Sequence, residues 1–402
     1  MPVLDLPRHI VIENGALERL DELVAAKGGS KVFVIMDSFL ANPPVSLHER
    51  VADILVKQGF SCLVFSGYSG EPTTENVQVA VQQLRAFHAD CVVAIGGGSA
   101  IDLAKAVAVF GENPNMQWSE VSQQQQLKRL PLIAVPTTAG TGSEATKIMV
   151  ITDPDTNVKM NPSHPDLVPD AAVLDPELTF SLPPSFTVYT GLDALTHAIE
   201  GYVSTRASQM TDLFALEAIR EIGVALPKVY ENGKDSDSRR DMILASCYAG
   251  LAFSNASTNL AHAAGRPLGA QFHIPHGLSV ALLLPFVMRF GLDACKERYA
   301  DVALALGADS TLTTEQLAEQ SIAMIEHYNE QFGIWKDASK YIEPEQLIKA
   351  IPSLVADALS GNGIATNRKI PAEQDIERIY RSLAEKVEEA NKLKNEQTLL
   401  NN

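Results

Sequence analysis

Apolar and polar positions in the first half of the chain switch repeatedly between two periods. Arg8-His-Ile-Val-Ile-Glu13 reads as a strand, Asn14-Gly15 as a turn and 16–27 as a helix. Lys31-Val-Phe-Val-Ile-Met36 is a near-continuous apolar run ending at Asp37, and helix 47–59, strand 61–65, helix 75–88 and strand 90–95 follow. Apolar runs alternating with helical periods predict a parallel sheet covered by helices on both faces. Strand 132–135 comes next, then a hairpin of 149–152 and 158–160 that turns at Asp153-Pro-Asp-Thr-Asn157, then a last strand at Val173-Leu174.

Leu182-Pro-Pro-Ser185 interrupts regular structure, and beyond it strand signals nearly vanish. Helical patterns run through 187–205, 208–229, 236–254, 258–267, 277–291, 292–306, 314–331, 344–357 and 371–395, the Lys/Glu/Asn-rich end reading as a solvated helix that frays. The fold class expected is therefore a Rossmann-like α/β domain over 1–184 and an all-α domain over 185–402, with a cleft between them.

Gly96-Gly-Gly-Ser99 separates strand 91–95 from the next helix. Glycines there let the backbone approach a ligand, and a helix N-terminus offers N–H groups to pyrophosphate. A tight turn would use the same residues, and the GxGxxG fingerprint is absent. Asp37, ending an earlier strand, is placed to accept from an adenosine ribose hydroxyl and to repel a 2′-phosphate, which favours NAD. Pro136-Thr-Thr-Ala-Gly-Thr-Gly-Ser-Glu144 suits the sugar and phosphate of the same dinucleotide.

Composition narrows the partners. A net charge of −17 over 402 residues argues against nucleic acid and anionic membranes, and obliges an anionic substrate to find a local cation. Cys62, Cys91, Cys247 and Cys295 form no CxxC and, with no secretory leader read, are expected as reduced thiols of a cytoplasmic protein. The longest apolar run, Leu278 to Met288, is too short to span a bilayer and is broken by Pro285.

In the second half, Gly191-Leu-Asp193-Ala-Leu-Thr-His197 places a carboxylate and an imidazole one turn apart on a helix face. His262 and His276 follow, in segments so apolar that their polar atoms need partners. Three imidazoles and a carboxylate suit one divalent metal such as Fe, Zn or Ni, although isolated histidines are commonly structural.

Gly96-Gly-Gly-Ser-Ala-Ile-Asp102, the 136–144 segment, the 191–197 segment, Phe253-Ser-Asn255, Pro275-His-Gly277 and Thr366-Asn-Arg368 occur in the order found in one family. From Pro7 to about Leu383 the chain resembles the iron-containing (group III) alcohol dehydrogenases. The resemblance implies a dehydroquinate synthase-like fold, an NAD(H)-binding domain and one catalytic metal. It implies Asp193, His197, His262 and His276 as catalytic metal ligands, with Fe(II) the first choice and Zn, Mn or Ni as alternatives. It also implies Gly96, Gly97, Gly98 and Ser99 on the pyrophosphate, and Asp37, Thr137, Thr138, Ser143, Lys159 and Leu178 around the nucleotide. Phe253 and Ile148 are expected beside the substrate, and a homodimer or larger homo-oligomer is expected.

One departure bears on substrate. Where the family commonly reads Gly-Leu-Gly-Leu-Val-His-x-Met-Ala-His, this chain reads Ser257-Thr-Asn-Leu-Ala-His-Ala-Ala-Gly-Arg266. The second histidine becomes Arg266, and Thr258 and Asn259 replace apolar or small residues. A cation four residues from His262 predicts a small aldehyde with a terminal anion, sulfoacetaldehyde reduced to isethionate first, succinic semialdehyde or phosphonoacetaldehyde next. The alternatives are a general short-chain alcohol dehydrogenase and, in a different class, a metal-dependent hydrolase or lyase, which would leave the glycine and threonine loops without a role.

Overall fold

The computed structural model describes residues 3–156 and 158–400, with side chains through 392. Asn157, in the expected hairpin turn, and the tail at 401–402 lie outside the described residues. Contacts divide the chain into two compact units, one of 3–182 with 233–254, the other of 183–232 with 255–400. Residues 233–254, expected in the helical domain, thus group with the sheet.

The first unit is built on strands β1 (His9–Ile12), β2 (Lys31–Met36), β3 (Ser61–Phe65), β4 (Cys91–Gly96), β5 (Leu132–Pro136) and β8 (Ala171–Leu174), in the order β1-β8-β5-β4-β2-β3, all pairs parallel. A separate hairpin joins β6 (Ile151–Asp153) to β7 (Val158–Met160). Helices α1 (Leu20–Ala26), α2 (Ser38–Ala41), α3 (Leu47–Lys57), α4 (Thr74–Phe87) and α5 (Gly98–Glu112) connect the strands, and the expected 16–27 helix opens as a 3-10 turn. Successive strand residues feed two different cores. Phe33, Ile35, Val92, Ala94 and Leu132 pack with Val77, Leu84 and Leu103, whereas Val32, Val34, Val93, Ile133 and Val173 pack with Leu20, Val51 and Leu55. Burial on both faces is why these strands read as continuous apolar runs.

The second unit is helical: α6 (Pro184–Val203), α7 (Gln209–Glu231), α9 (Leu260–Phe272), α10 (His276–Gly291), α11 (Lys296–Ala305), α12 (Thr314–Gln331), α13 (Ile334–Ala338), α14 (Pro344–Leu359) and α15 (Glu373–Leu400). Helix α8 (Ser236–Ala256) runs through the return to the sheet unit. Pro285 does not break the apolar run; α10 continues through it. Such a ring removes one N–H and orphans the carbonyl four residues back. That carbonyl, Ala281 O, accepts instead from the buried Asn329 Nδ2 at 2.9 Å. Pro227 sits inside α7 in the same way, and Gly223 O accepts from Tyr328 Oη at 3.2 Å. Two neighbouring residues of α12 thus repair two prolines. The stretch His276–Ala294 is long and apolar enough to cross a membrane, yet 61% of its most apolar window is buried within the protein, as suits a core helix.

Candidate functional site

Two clusters carry chemistry, one in each unit. In the sheet unit the chain winds outward in opposite senses from β2 and β4, since β2 continues to β3 and β4 to β5 on the other side. The carboxyl ends of strands beside such a switch point form the usual ligand crevice of open α/β sheets. Asp37 ends β2 and the glycine run ends β4. Gly96 has φ +155°, and a Cβ there would come within 2.4 Å of Asp37 Oδ2; one on Gly98 would meet Thr141 at 2.8 Å. Only glycine fits either position. The 15-residue α5 then begins, and Ala100 N and Ile101 N donate to Gly97 O at 3.1 and 3.3 Å, so the N–H groups of Gly98 and Ser99 precede its first hydrogen bond.

Asp37 braces this turn. Its Oδ2 accepts from Gly97 N at 3.0 Å and its Oδ1 from Tyr68 Oη at 2.5 Å. Burial raises its carboxyl above the usual range, and those two donors oppose the rise. Thr137 N donates to Gly96 O at 2.9 Å, Thr138 packs on Gly97, and Ser99 is half-buried in the first turn of α5. Leu178 walls an open depression of about 540 Å³ with Leu40, Leu47, Arg50 and Lys234. The cradle fits a dinucleotide pyrophosphate. Lys159 instead pairs with Glu71 at 2.6 Å.

Ser143 is a correction. It is 4% exposed and faces inward, donating to Asp102 Oδ1 at 2.5 Å and accepting from Lys105 Nζ at 3.0 Å. Lys105, fully buried, also donates to Thr146 Oγ1 and to Ile148 O, which ties the 143–148 segment to α5. Burial brings the Lys105 ammonium down to about 8 and pushes the neighbouring Glu144 carboxyl up to about 7. Helix α8 lies against this segment: a Cβ on Gly142 would come within 2.6 Å of Gly250 Cα, and Lys147 N donates to Ser254 Oγ. Phe253, on α8, and Ile148 both belong to this unit.

In the helical unit, Asp193 and His197 share a face of α6, and His262 on α9 and His276 at the start of α10 join them. Asp193, His262 and His276 offer ligand atoms all within 4.8 Å of one another. His197 stacks on His262 with ring centroids 4.3 Å apart, and its Nδ1 lies 3.9 Å from Asp193 Oδ2. Burial alone would raise Asp193, but His197, His276 and His262 outweigh it and hold the carboxyl well below its ordinary range. Burial takes His197 down to about 3. His262, despite burial, is raised by Asp193 and Glu200.

One contact decides what this cluster suits. His262 Nδ1 is 2.7 Å from Glu200 Oε2, and a carboxylate only accepts, so Nδ1 carries the proton. In the neutral ring the lone pair of Nε2 faces Asp193 Oδ1 across 3.4 Å, and neither atom has a hydrogen-bond partner among the described residues; a proton on Nε2, toward which the raised pKa points, answers the same need for positive charge. Two buried acceptors that face each other call for a cation, and a divalent metal serves both together with the flanking imidazoles. The donor set fits one.

Comparison with known proteins gives the family. Residues 7–176 match the model of the iron-containing alcohol dehydrogenases, and 187–384 match the C-terminal region of the same family. The chain belongs to the iron-containing alcohol dehydrogenase family. It is 45% identical to the probable alcohol dehydrogenase EutG of Salmonella typhimurium over 293 residues, 73% of this chain and 74% of that one. A solved 1,3-propanediol oxidoreductase superposes with a TM-score of 0.90 at 30% identity, covering 95% of this chain and 100% of that one. The NAD+ complex of a sulfoacetaldehyde reductase from Bifidobacterium kashiwanohense gives 0.84 at 28% identity, covering 96% and 99%. This iron-containing alcohol dehydrogenase is thus an enzyme of the dehydroquinate synthase-like fold.

Against the sequence expectations, Asn259 is the second correction. It is 1% exposed and turned onto α6, where Nδ2 donates to Glu200 O at 3.0 Å, so its amide nitrogen is engaged with the protein rather than open to a substrate. Thr258 is 9% exposed, and its carbonyl accepts from Thr366 Oγ1 at 2.8 Å. The Thr366-Asn-Arg368 motif acts as a clamp: Asn367 Oδ1 accepts from Leu260 N, and Arg368 donates to Val203 O and Ser204 O. Glu200 and Tyr68 are the residues that sequence reasoning missed. Glu200 falls at i+7 from Asp193 and i+3 from His197 within an apolar stretch, which is the signal that could have found it.

Proposed function

We propose that this enzyme catalyses the NAD(H)-linked, metal-dependent reduction of a small aldehyde bearing a terminal anion, with sulfoacetaldehyde to isethionate the first choice. The observation that carries the reading is Arg266. It lies one turn beyond His262 on α9, close enough to feel Asp193 and Glu200, and it contributes to the lowering of His197. Its guanidinium is partly buried and makes no hydrogen bond or ion pair among the described residues. A partly buried fork of donors with no protein partner among the described residues suits a carboxylate, sulfonate or phosphonate. Succinic semialdehyde and phosphonoacetaldehyde present the same chemistry.

Asp193, His197, His262 and His276 would hold the metal, Fe(II) first and Zn, Mn or Ni otherwise, which when bound supplies Lewis acidity toward a carbonyl. Gly96 to Ser99 would hold the pyrophosphate of NADH, which when bound would supply the hydride equivalent for reduction of a carbonyl, the proton coming from solvent. Arg266 would hold the anion, so a short spacer between anion and carbonyl is required. A second reading, a short-chain alcohol dehydrogenase for neutral substrates, draws support from the likeness to EutG.

NADH oxidation by the Fe(II)-loaded enzyme, with sulfoacetaldehyde set against propanal, separates the two. Loss of a buried charge-assisted contact costs about 2–5 kcal/mol, so Arg266→Ala should lower kcat/KM on the anionic aldehyde by two orders of magnitude or so and leave propanal little changed. A wild-type enzyme that prefers propanal, or equal losses on both, would sink the anionic reading.

A further inference from the structure

Glu200 is 2% exposed and lies among the apolar side chains of α6, yet its carboxylate faces three donors. Asn259 N reaches Oε2 at 2.9 Å, Ala261 N reaches Oε1 at 2.6 Å, and His262 Nδ1 reaches Oε2 at 2.7 Å. Donors thus meet both oxygens of this buried carboxyl group, at the N-terminus of α9 where the helix dipole favours an acceptor. The two backbone donors fix where α9 begins relative to α6. The third fixes something chemical: which nitrogen of His262 is protonated.

We propose that Glu200 is a positioning residue for the metal centre, holding His262 in the tautomer whose Nε2 lone pair faces Asp193 and thereby setting the affinity of the site for a divalent metal. Metal-bound histidines ordinarily need such an anchor on their other nitrogen, which orients the ring and raises its basicity. The inference rests on the ligand set proposed above. It assigns Glu200 no contact with substrate.

Glutamine is a sharp probe because it keeps the size and replaces one acceptor with a donor. With its amide nitrogen at the Oε2 position, it would donate to His262 Nδ1 and drive the proton to Nε2, the atom that must stay bare. With the nitrogen at Oε1, it would oppose Ala261 N–H. Either way the arrangement is broken. Asn259→Ala is the structural control, since it removes the Nδ2 tie to Glu200 O but leaves the carboxylate and its three donors in place.

The test is Zn(II) affinity of the full-length wild type, Glu200→Gln and Asn259→Ala by chelator competition, with thermal unfolding of each holoenzyme alongside. Selectively 15N-histidine-labelled Zn(II) enzyme reports the imidazole N–H protons. Glu200→Gln should bind Zn(II) about 10–100-fold more weakly, Asn259→Ala should stay near wild type, and wild type should show a slowly exchanging Nδ1–H for His262. Unchanged affinity in Glu200→Gln, or an equal loss in Asn259→Ala, overturns the proposal. So does a wild-type His262 without that N–H, a readout that stands even if Glu200→Gln fails to fold. A wild type that binds no Zn(II) would instead refute the ligand set.

Discussion

At the scale of single residues, Asp37 holds the glycine turn, and we propose that it also governs which nucleotide can sit on it. Its oxygens accept from Gly97 N and Tyr68 Oη, and Gly96 has no room for a side chain beside it. A carboxylate there repels a 2′-phosphate. Asp37→Gly should therefore narrow the preference for NADH over NADPH, and because the turn loses its brace, KM for NADH should rise as well. Initial-rate measurements with both cofactors check this; an unmutated enzyme that works better with NADPH would show that Asp37 does not face the ribose.

At the scale of elements, α10 and α12 depend on each other through Pro285 and Asn329. Asn329→Ala would leave Ala281 O buried and unsatisfied, a cost of about 1–3 kcal/mol. In a Pro285→Ala background the restored N–H can reach that carbonyl, so the same substitution should cost much less. Chemical denaturation of the four proteins in the cycle measures the coupling, and additive effects would contradict it. The pair also shows where sequence reading stops. Pro285 was read as a break because the rule for proline is local, while the donor that rescues the helix comes from another element. The parallel sheet was legible because burial on both faces leaves unbroken apolar runs, and Asp193 with His197 because four residues make one helical turn. Ser143 and Asn259 misled because hydroxyls and amides serve ligands and neighbouring backbone equally well. Glu200 stayed hidden because a glutamate on a helix reads the same whether it meets water or an imidazole.

At the scale of the molecule, the compact units are not continuous in sequence. The chain leaves the sheet unit after 182, returns for 233–254 and leaves again. The returning helix α8 contacts Gly142 through Gly250 and the 147 backbone through Ser254, so it covers the segment that Lys105 anchors. A fragment ending at 182 should lack a cooperative thermal transition, and one in which 233–254 follows through a flexible Gly/Ser linker should regain it, as read by circular dichroism. A cooperative melt of the shorter fragment would mean that α8 is dispensable. The same arrangement bears on synthesis. At about 5–20 residues per second, the ribosome completes the sheet strands seconds before it makes the helix that seals them. The nascent unit must therefore wait, its glycine-rich loop uncovered, until residue 254 has emerged.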